Sequence, residues 1–207
     1  MRNVMKQFLA LTVLSALIPV AVFGQSTDKL SDQFANSYAY ERVKDYAKAI
    51  DALKGADDSK SYEVNIRLGW LNYLAKSYAD SLSYYQKAVS LKPSSIEALF
   101  AGLNPALAMK DQGKVIDLYQ KILKIDPQNT GINYQLGLIY YEKKDYAFAR
   151  QHFEKVISLY PLDYNSLNML AWTALRLNSS DAGALFRKIL LIVPNDISAL
   201  KGLSEIK

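Results

Sequence analysis

The sequence predicts an all-α fold, an α-solenoid of about five helix–turn–helix repeats closed by a C-terminal capping helix. Three observations carry that prediction. Pro93, Pro127, Pro161 and Pro194 are spaced by 34, 34 and 33 residues, which is the length of one helix–turn–helix unit in a repeat array. Three further columns keep the same step: an aromatic at Tyr85, Tyr119, Phe153 and Phe186, a small or branched apolar residue at Ala88, Ile122, Val156 and Ile189, and a lysine at Lys87, Lys121, Lys155 and Lys188. Between the prolines, apolar residues recur at helical spacing.

The unit from Tyr62 to Ser95 shows how each element arises. Residues 62–76 predict one helix, with Ile66, Trp70, Tyr73 and Leu74 on an apolar stripe. Lys76-Ser77 predicts a short turn. Residues 78–91 predict the second helix, through Leu82, Tyr85, Ala88, Val89 and Leu91, and Pro93 ends it because proline cannot continue the hydrogen-bond ladder. Gly69 lies inside the first helix, where glycine costs about 1 kcal/mol relative to alanine. Close approach of the partner helix to a bare backbone is the expected compensation, and Gly137 repeats the feature two periods later. Neither helix of a pair buries its stripe alone, so neighbouring pairs must stack to complete the core.

The predicted units are 30–61, 62–95, 96–129, 130–163 and 164–196, with a capping helix at 197–206. Lys201, Ser204, Glu205 and Lys207 predict a polar outer face for that helix. The unit 164–196 is one residue short near Asn178-Ser179-Ser180. The unit 96–129 departs most. Gly102-Leu103 is reversed and one place early, and Gln112-Gly113 places the inter-helix turn about three residues late. Asn104-Pro105 falls inside the first helix, where proline predicts a break or kink.

The chain of 207 residues is long enough for one packed unit. Its net charge is +5, and Arg2 and Lys6 supply two of those charges, leaving +3 beyond Gly24. So small and dispersed an excess gives no electrostatic case for nucleic acid. Residues 1–24 have the order of a cleavable signal peptide: Arg2 and Lys6, an apolar run from Phe8 to Val22 with Pro19 near its end, then Val22-Phe23-Gly24 before Gln25. The run is short beside the roughly 20 residues a span needs. Cleavage, followed by a linker at 25–29, is therefore expected over an uncleaved anchor, with no stable membrane span afterwards. Export is the implied route, and in a bacterium this means the periplasm or the outside. With no cysteine there is neither a lipid-bearing thiol nor a disulfide.

These motifs resemble the tetratricopeptide repeat (TPR) family from about residue 30 onward. The unit 130–163 matches the family pattern best, through Leu136, Gly137, Tyr140, Tyr146, Ala149, Phe153 and Pro161. The unit 62–95 supplies Leu68, Gly69, Tyr78, Tyr85, Ala88 and Pro93, with Ser81 where alanine is usual. In 30–61, Tyr40, Tyr46, Ala49 and Leu53 fit and Ser61 replaces the proline. In 164–196, Leu170, Ala171, Ala182, Phe186 and Pro194 fit. The resemblance implies a right-handed solenoid whose first helices line a concave groove that holds a peptide or partner helix. By register the groove residues are Phe34 and Tyr38; Ile66, Trp70 and Tyr73; Phe100 and Asn104; Tyr134, Leu138 and Tyr141; and Asn168, Trp172 and Arg176. Of the 15 tyrosines, Tyr40, Tyr46, Tyr78, Tyr85, Tyr119, Tyr140 and Tyr146 fall at family core positions. The groove lacks the lysine–asparagine pair with which some members clamp a C-terminal carboxylate, so an apolar or aromatic-bearing segment is the expected occupant. A competing reading packs some of these side chains between adjacent first helices.

Chemistry is sparse. The chain has one histidine, and His152 reads as a surface residue on the convex side rather than a base or ligand. There is no phosphate-binding glycine loop and no metal-ligand spacing. Asp57-Asp58 reads as a solvated loop, Asn178-Ser179-Ser180 as a weak glycosylation pattern, and the lysine column as a solvated convex face. No catalytic residue, metal or cofactor is expected. The expected function is a non-catalytic scaffold or adaptor of the cell envelope, compatible with docking to an envelope complex. Two other readings stay open. Tryptophan and tyrosine platforms also stack on carbohydrate, which polar partners beside Trp70 and Trp172 would favour. A self-assembling structural protein would instead show exposed apolar surface on the 197–206 helix.

Overall fold

The computed structural model describes residues 21–56 and 60–206, and all regular elements among them are helices. Most of the leader segment and Asp57-Asp58 lie outside the described residues. The chain forms two compact units, Met1–Ala56 and Asp57–Lys207.

In the first unit, α1 (Ala21–Arg42) packs on α2 (Tyr46–Asp51). Residues 25–29, expected to be a linker, are helical within α1, which runs through Gly24-Gln25. Lys44 takes a left-handed φ of 61° between the helices. Asp45 then caps α2, its carboxylate accepting from the Lys48 backbone N–H at 3.1 Å. Ala49 and Leu53 are buried, as their repeat positions require. Tyr40 is exposed, against the core position assigned to it.

The second unit contains α3 (Tyr62–Leu74), α4 (Tyr78–Leu91), α5 (Ile96–Ala108), α6 (Gln112–Ile125), α7 (Thr130–Glu142), α8 (Tyr146–Leu159), α9 (Tyr164–Arg176), α10 (Ala182–Ile192) and α11 (Ile197–Glu205). Each helix packs on the next, and α3 also meets α5, α7 meets α9 and α9 meets α11. This is the connectivity of a helical-repeat solenoid, where each unit touches its neighbours.

Capping fixes the boundaries. Ser61, Ser95, Asn129, Asp163 and Asp196 begin the first helices and α11, each side chain accepting the backbone N–H three residues on. Ser61 thus belongs to the capping column of Ser95 and not to the proline column of Pro93, which is the place the sequence reading gave it. The inter-helix turns are marked by left-handed residues at Lys76, Lys110, Lys144 and Asn178, each 34 after the last. The following N–H reaches back to the helix in every case, as from Asp111 to the Ala106 carbonyl at 3.0 Å.

The turn of the 96–129 unit is therefore in register at Lys110, not late at Gln112-Gly113. Gly113 lies inside the first turn of α6, which Asp111 caps. The break expected at Asn104-Pro105 is also absent, because α5 runs unbroken through Pro105. Proline removes only the bond to the Ala101 carbonyl, and the helix ends within a turn. Pro105 and Ala106 are buried there, and packing holds the segment. The missing residue of the 164–196 unit is absorbed at the start of α10. There Arg150 of α8 holds Asp181 at 2.6 Å and Ser179 at 2.9 Å.

The glycines behave as the close-approach argument requires. A Cβ on Gly69 would lie 2.7 Å from the Tyr85 ring, and one on Gly137 would lie 2.5 Å from the Phe153 ring. Burial pushes the Tyr85 phenol up to about 12.

Candidate functional site

The predicted site residues of the second unit occupy the fifth, ninth and twelfth or thirteenth places of successive first helices. Residues so spaced share one helix face. None of them is buried, whereas Val64, Leu68, Leu71, Leu99, Leu136 and Leu167 on the same helices are. Trp70 and Phe100 are each 38% exposed, and Asn104 is exposed beside them in sequence order. Ile66, Tyr73, Tyr134, Leu138, Tyr141, Asn168 and Trp172 are half-buried, and Arg176 is exposed. Leu107, which the register reading passed over, takes the twelfth place in α5 and is also exposed. The 34-residue step from Tyr73 identifies it. In the first unit, Tyr38 is 51% exposed and its ring centroid lies 6.5 Å from that of half-buried Phe34.

The two ends of the row in the second unit differ. On α3, Trp70 lies 5.9 Å from Tyr73, whose ring lies 5.8 Å from Tyr78 at the start of α4. Trp70 keeps its partial exposure within this aromatic run. On α9, Trp172 is held. Its Nε1–H donates to Ser198 Oγ at 2.8 Å, and that hydroxyl donates to Asn168 Oδ1 at 2.8 Å. The indole meets buried Phe186 edge-on at 5.3 Å, and the Arg176 guanidinium stands 5.6 Å over it. Arg176 also reaches Glu205 of α11 at 3.8 Å. A hydrogen bond with Tyr141 holds the Arg176 pKa above its ordinary value. The polar groups beside Trp172 are therefore engaged with each other, and this tryptophan follows the packing reading. Tyr134 and Tyr141 are also partly committed, edge-on to Phe153 at 5.9 Å and to Tyr146 at 5.3 Å.

His152 is not the solvated surface residue expected. It is half-buried and stacks parallel to Tyr140 at 5.6 Å, with 4° between the planes. Its Nδ1 lies 2.9 Å from Oδ1 of buried Asn133. The Asn133 amide NH2 donates to the Asn129 and Pro127 carbonyls, so Oδ1 is the acceptor and His152 donates. Burial, then the Lys155 charge, lowers the His152 pKa. Within the lysine column, Lys121 pairs with Asp117 at 2.7 Å, and Lys188 is half-buried.

The outer face of α11 is not wholly polar. Lys201, Ser204 and Glu205 are exposed, but so are Ile197 (83%) and Leu200 (48%), and Leu191 of α10 is 85% exposed. Among the described residues, no helix is long and apolar enough to cross a membrane.

Stacked helix pairs with a row of solvent-facing first-helix side chains define a helical-repeat protein. The tetratricopeptide repeat family matches residues 34–96 and again residues 131–163. The chain belongs to the tetratricopeptide repeat family. No curated protein matches it significantly. Among solved structures it is similar to MamA, with 20% identity, a TM-score of 0.60, and coverage of 80% of this chain and 92% of that one. A tetratricopeptide repeat protein from Parabacteroides merdae ATCC 43184 shows 18% identity and a TM-score of 0.61 over 86% of this chain and 72% of that one. YrrB, described as a TPR protein with an unusual peptide-binding site, shows 14% identity and a TM-score of 0.60 over 88% and 98%. At these identities the likeness shows the fold.

Proposed function

We propose that the protein is a non-catalytic scaffold or adaptor of the cell envelope that binds a partner peptide or helix along its first-helix row. Family membership supports the class, since these repeats serve as protein-interaction modules. The observation that carries the site is the exposure of Trp70 and Phe100 on neighbouring α3 and α5, where adjacent Leu71 and Leu99 are buried. Exposed aromatics of this kind anchor interfaces, and a row of them can read an extended or helical segment. The partner therefore docks at the α3–α5 end, with the α9 end serving as its rigid support.

Crosslinked affinity purification of the tagged chain tests this, run beside a Trp70→Ala, Phe100→Ala variant. A protein recovered with the native chain and lost with a folded variant supports the groove. The same set of proteins from both chains overturns it. The envelope location rests on residues 1–24 and predicts a mature chain beginning at Gln25. Intact-mass measurement of the native protein checks that, and retention of Met1 in the soluble fraction would sink it.

The exposed Ile197, Leu200 and Leu191 favour a second reading, self-association through the last repeat. Sedimentation of wild type beside Ile197→Asp, Leu191→Asp decides it. A concentration-dependent oligomer lost in the variant supports self-association, and a monomer at all concentrations removes it.

A further inference from the structure

The seventh residue of each first helix is a leucine in α3, α7 and α9, and again in α11: Leu68, Leu136, Leu170 and Leu203. Within the second unit, Leu136, Leu170 and Leu203 pack on the second helix of the preceding repeat. Leu170 joins the buried cluster of Ala149 and Phe153 on α8, and Leu136 joins that of Leu118, Tyr119 and Ile122 on α6. In α5 this place holds Gly102. No close approach accounts for it, because a Cβ there would meet Leu118 at 3.6 Å and Leu82 at 3.7 Å, ordinary van der Waals distances. The neighbouring helices have not closed over the bare backbone. In the place of the leucine, α4, α5 and α6 line a cavity of about 260 Å³ that opens to solvent.

The walls of this cavity divide by chemistry. Buried Leu82, Leu99 and Leu118, with half-buried Val89, supply an aliphatic interior. Exposed Lys114, Asp117 and Lys121 stand at the solvent side. Lys121 is engaged with Asp117 at 2.7 Å, while Lys114 has no ion-pair partner among the described residues. A dry apolar void of ~150 Å³ already suffices to hold a small hydrocarbon.

We propose that this cavity is a ligand site for an aliphatic carboxylate. The alkyl tail takes the place of the missing leucine between α4 and α6, and the carboxylate meets the Lys114 ammonium. The apolar walls supply the burial term, and the unpaired cation selects a charged head over a neutral one. This site is built from second-helix side chains around Gly102 and stands or falls independently of the first-helix row.

Sodium octanoate is the probe, titrated into the full chain by calorimetry and followed by leucine methyl signals in NMR. Saturable binding that shifts Leu82 and Leu118 is expected, with 1-octanol binding about tenfold more weakly. Lys114→Gln is expected to weaken octanoate by about tenfold and leave octanol unchanged. Gly102→Leu fills the cavity from α5 and Val89→Phe fills it from α4, and either is expected to abolish binding. The second variant keeps the test sharp if the first perturbs folding. Absence of octanoate binding would mean a packing void only and overturn the proposal. So would binding that survives both filling variants, or equal affinity for acid and alcohol that ignores Lys114.

Discussion

Gly137 and Gly102 lie on equivalent helices, yet the same substitution has opposite consequences at the two positions. A Cβ at Gly137 lands 2.5 Å from Cε1 of Phe153, whose ring is fully buried and has nowhere to retreat. Gly137→Ala should cost about 2–3 kcal/mol through forced repacking. Gly102 has clearance on both sides, so Gly102→Ala removes only the helix penalty of glycine and should add about 0.5–1 kcal/mol. Urea unfolding of the two variants checks the pair, and equal signs would break the argument. The close approach at Gly137 was legible in the sequence because a glycine inside a periodic helix needs a reason. Gly102 read instead as a register slip. Telling a cavity from a contact requires knowing whether α4 and α6 move together, and a single-chain pattern does not carry that.

Between elements, polar pairs set the register that the apolar columns leave loose. His152 ties α8 to α7 through Asn133, and its lowered pKa makes that tie sensitive to acid. The folded pKa lies below the ordinary 6.5, so on acidification the unfolded chain takes up the proton first. Stability is complete above the unfolded value and falls from there down to the folded pKa. His152→Gln keeps an N–H donor for Asn133 and has no such titration. The difference in urea midpoint between about pH 7.5 and about pH 5.5 should therefore be larger in wild type than in the variant. An equal difference would show that His152 does not titrate with folding. The pair was hidden in the sequence because its members stand 19 residues apart on different helices. The turns show a similar limit. Glycine at Gly113 outweighed the signal of Asp111, although an N-cap aspartate marks a helix start more directly. Asp111→Ala should cost about 1 kcal/mol by freeing the Lys114 N–H, measurable as a lower unfolding midpoint.

In the whole molecule, the 34-residue period made the repeat architecture of the second unit and the exposed row legible, since register alone places equivalent side chains on equivalent faces. What register could not show is which of those side chains a later helix claims. Trp172 sits in the same column as Trp70, but Ser198, 26 residues further on, takes its indole N–H. The docking of α11 also depends on Gly202, which packs directly against the buried ring of Phe186. A side chain at Gly202 has to displace either that ring or the helix. In a nearest-neighbour array such a lesion stays local, because α11 contacts α9 and α10 but not α3 to α6. Gly202→Val should therefore strip hydrogen-exchange protection from α9, α10 and α11 while leaving α3 to α6 protected. Tryptophan fluorescence provides a second readout, since Trp172 loses its ring partner and Trp70 keeps its own. Uniform loss of protection from α3 to α11 would show that the second unit unfolds as one cooperative block and that its repeats are not energetically separable.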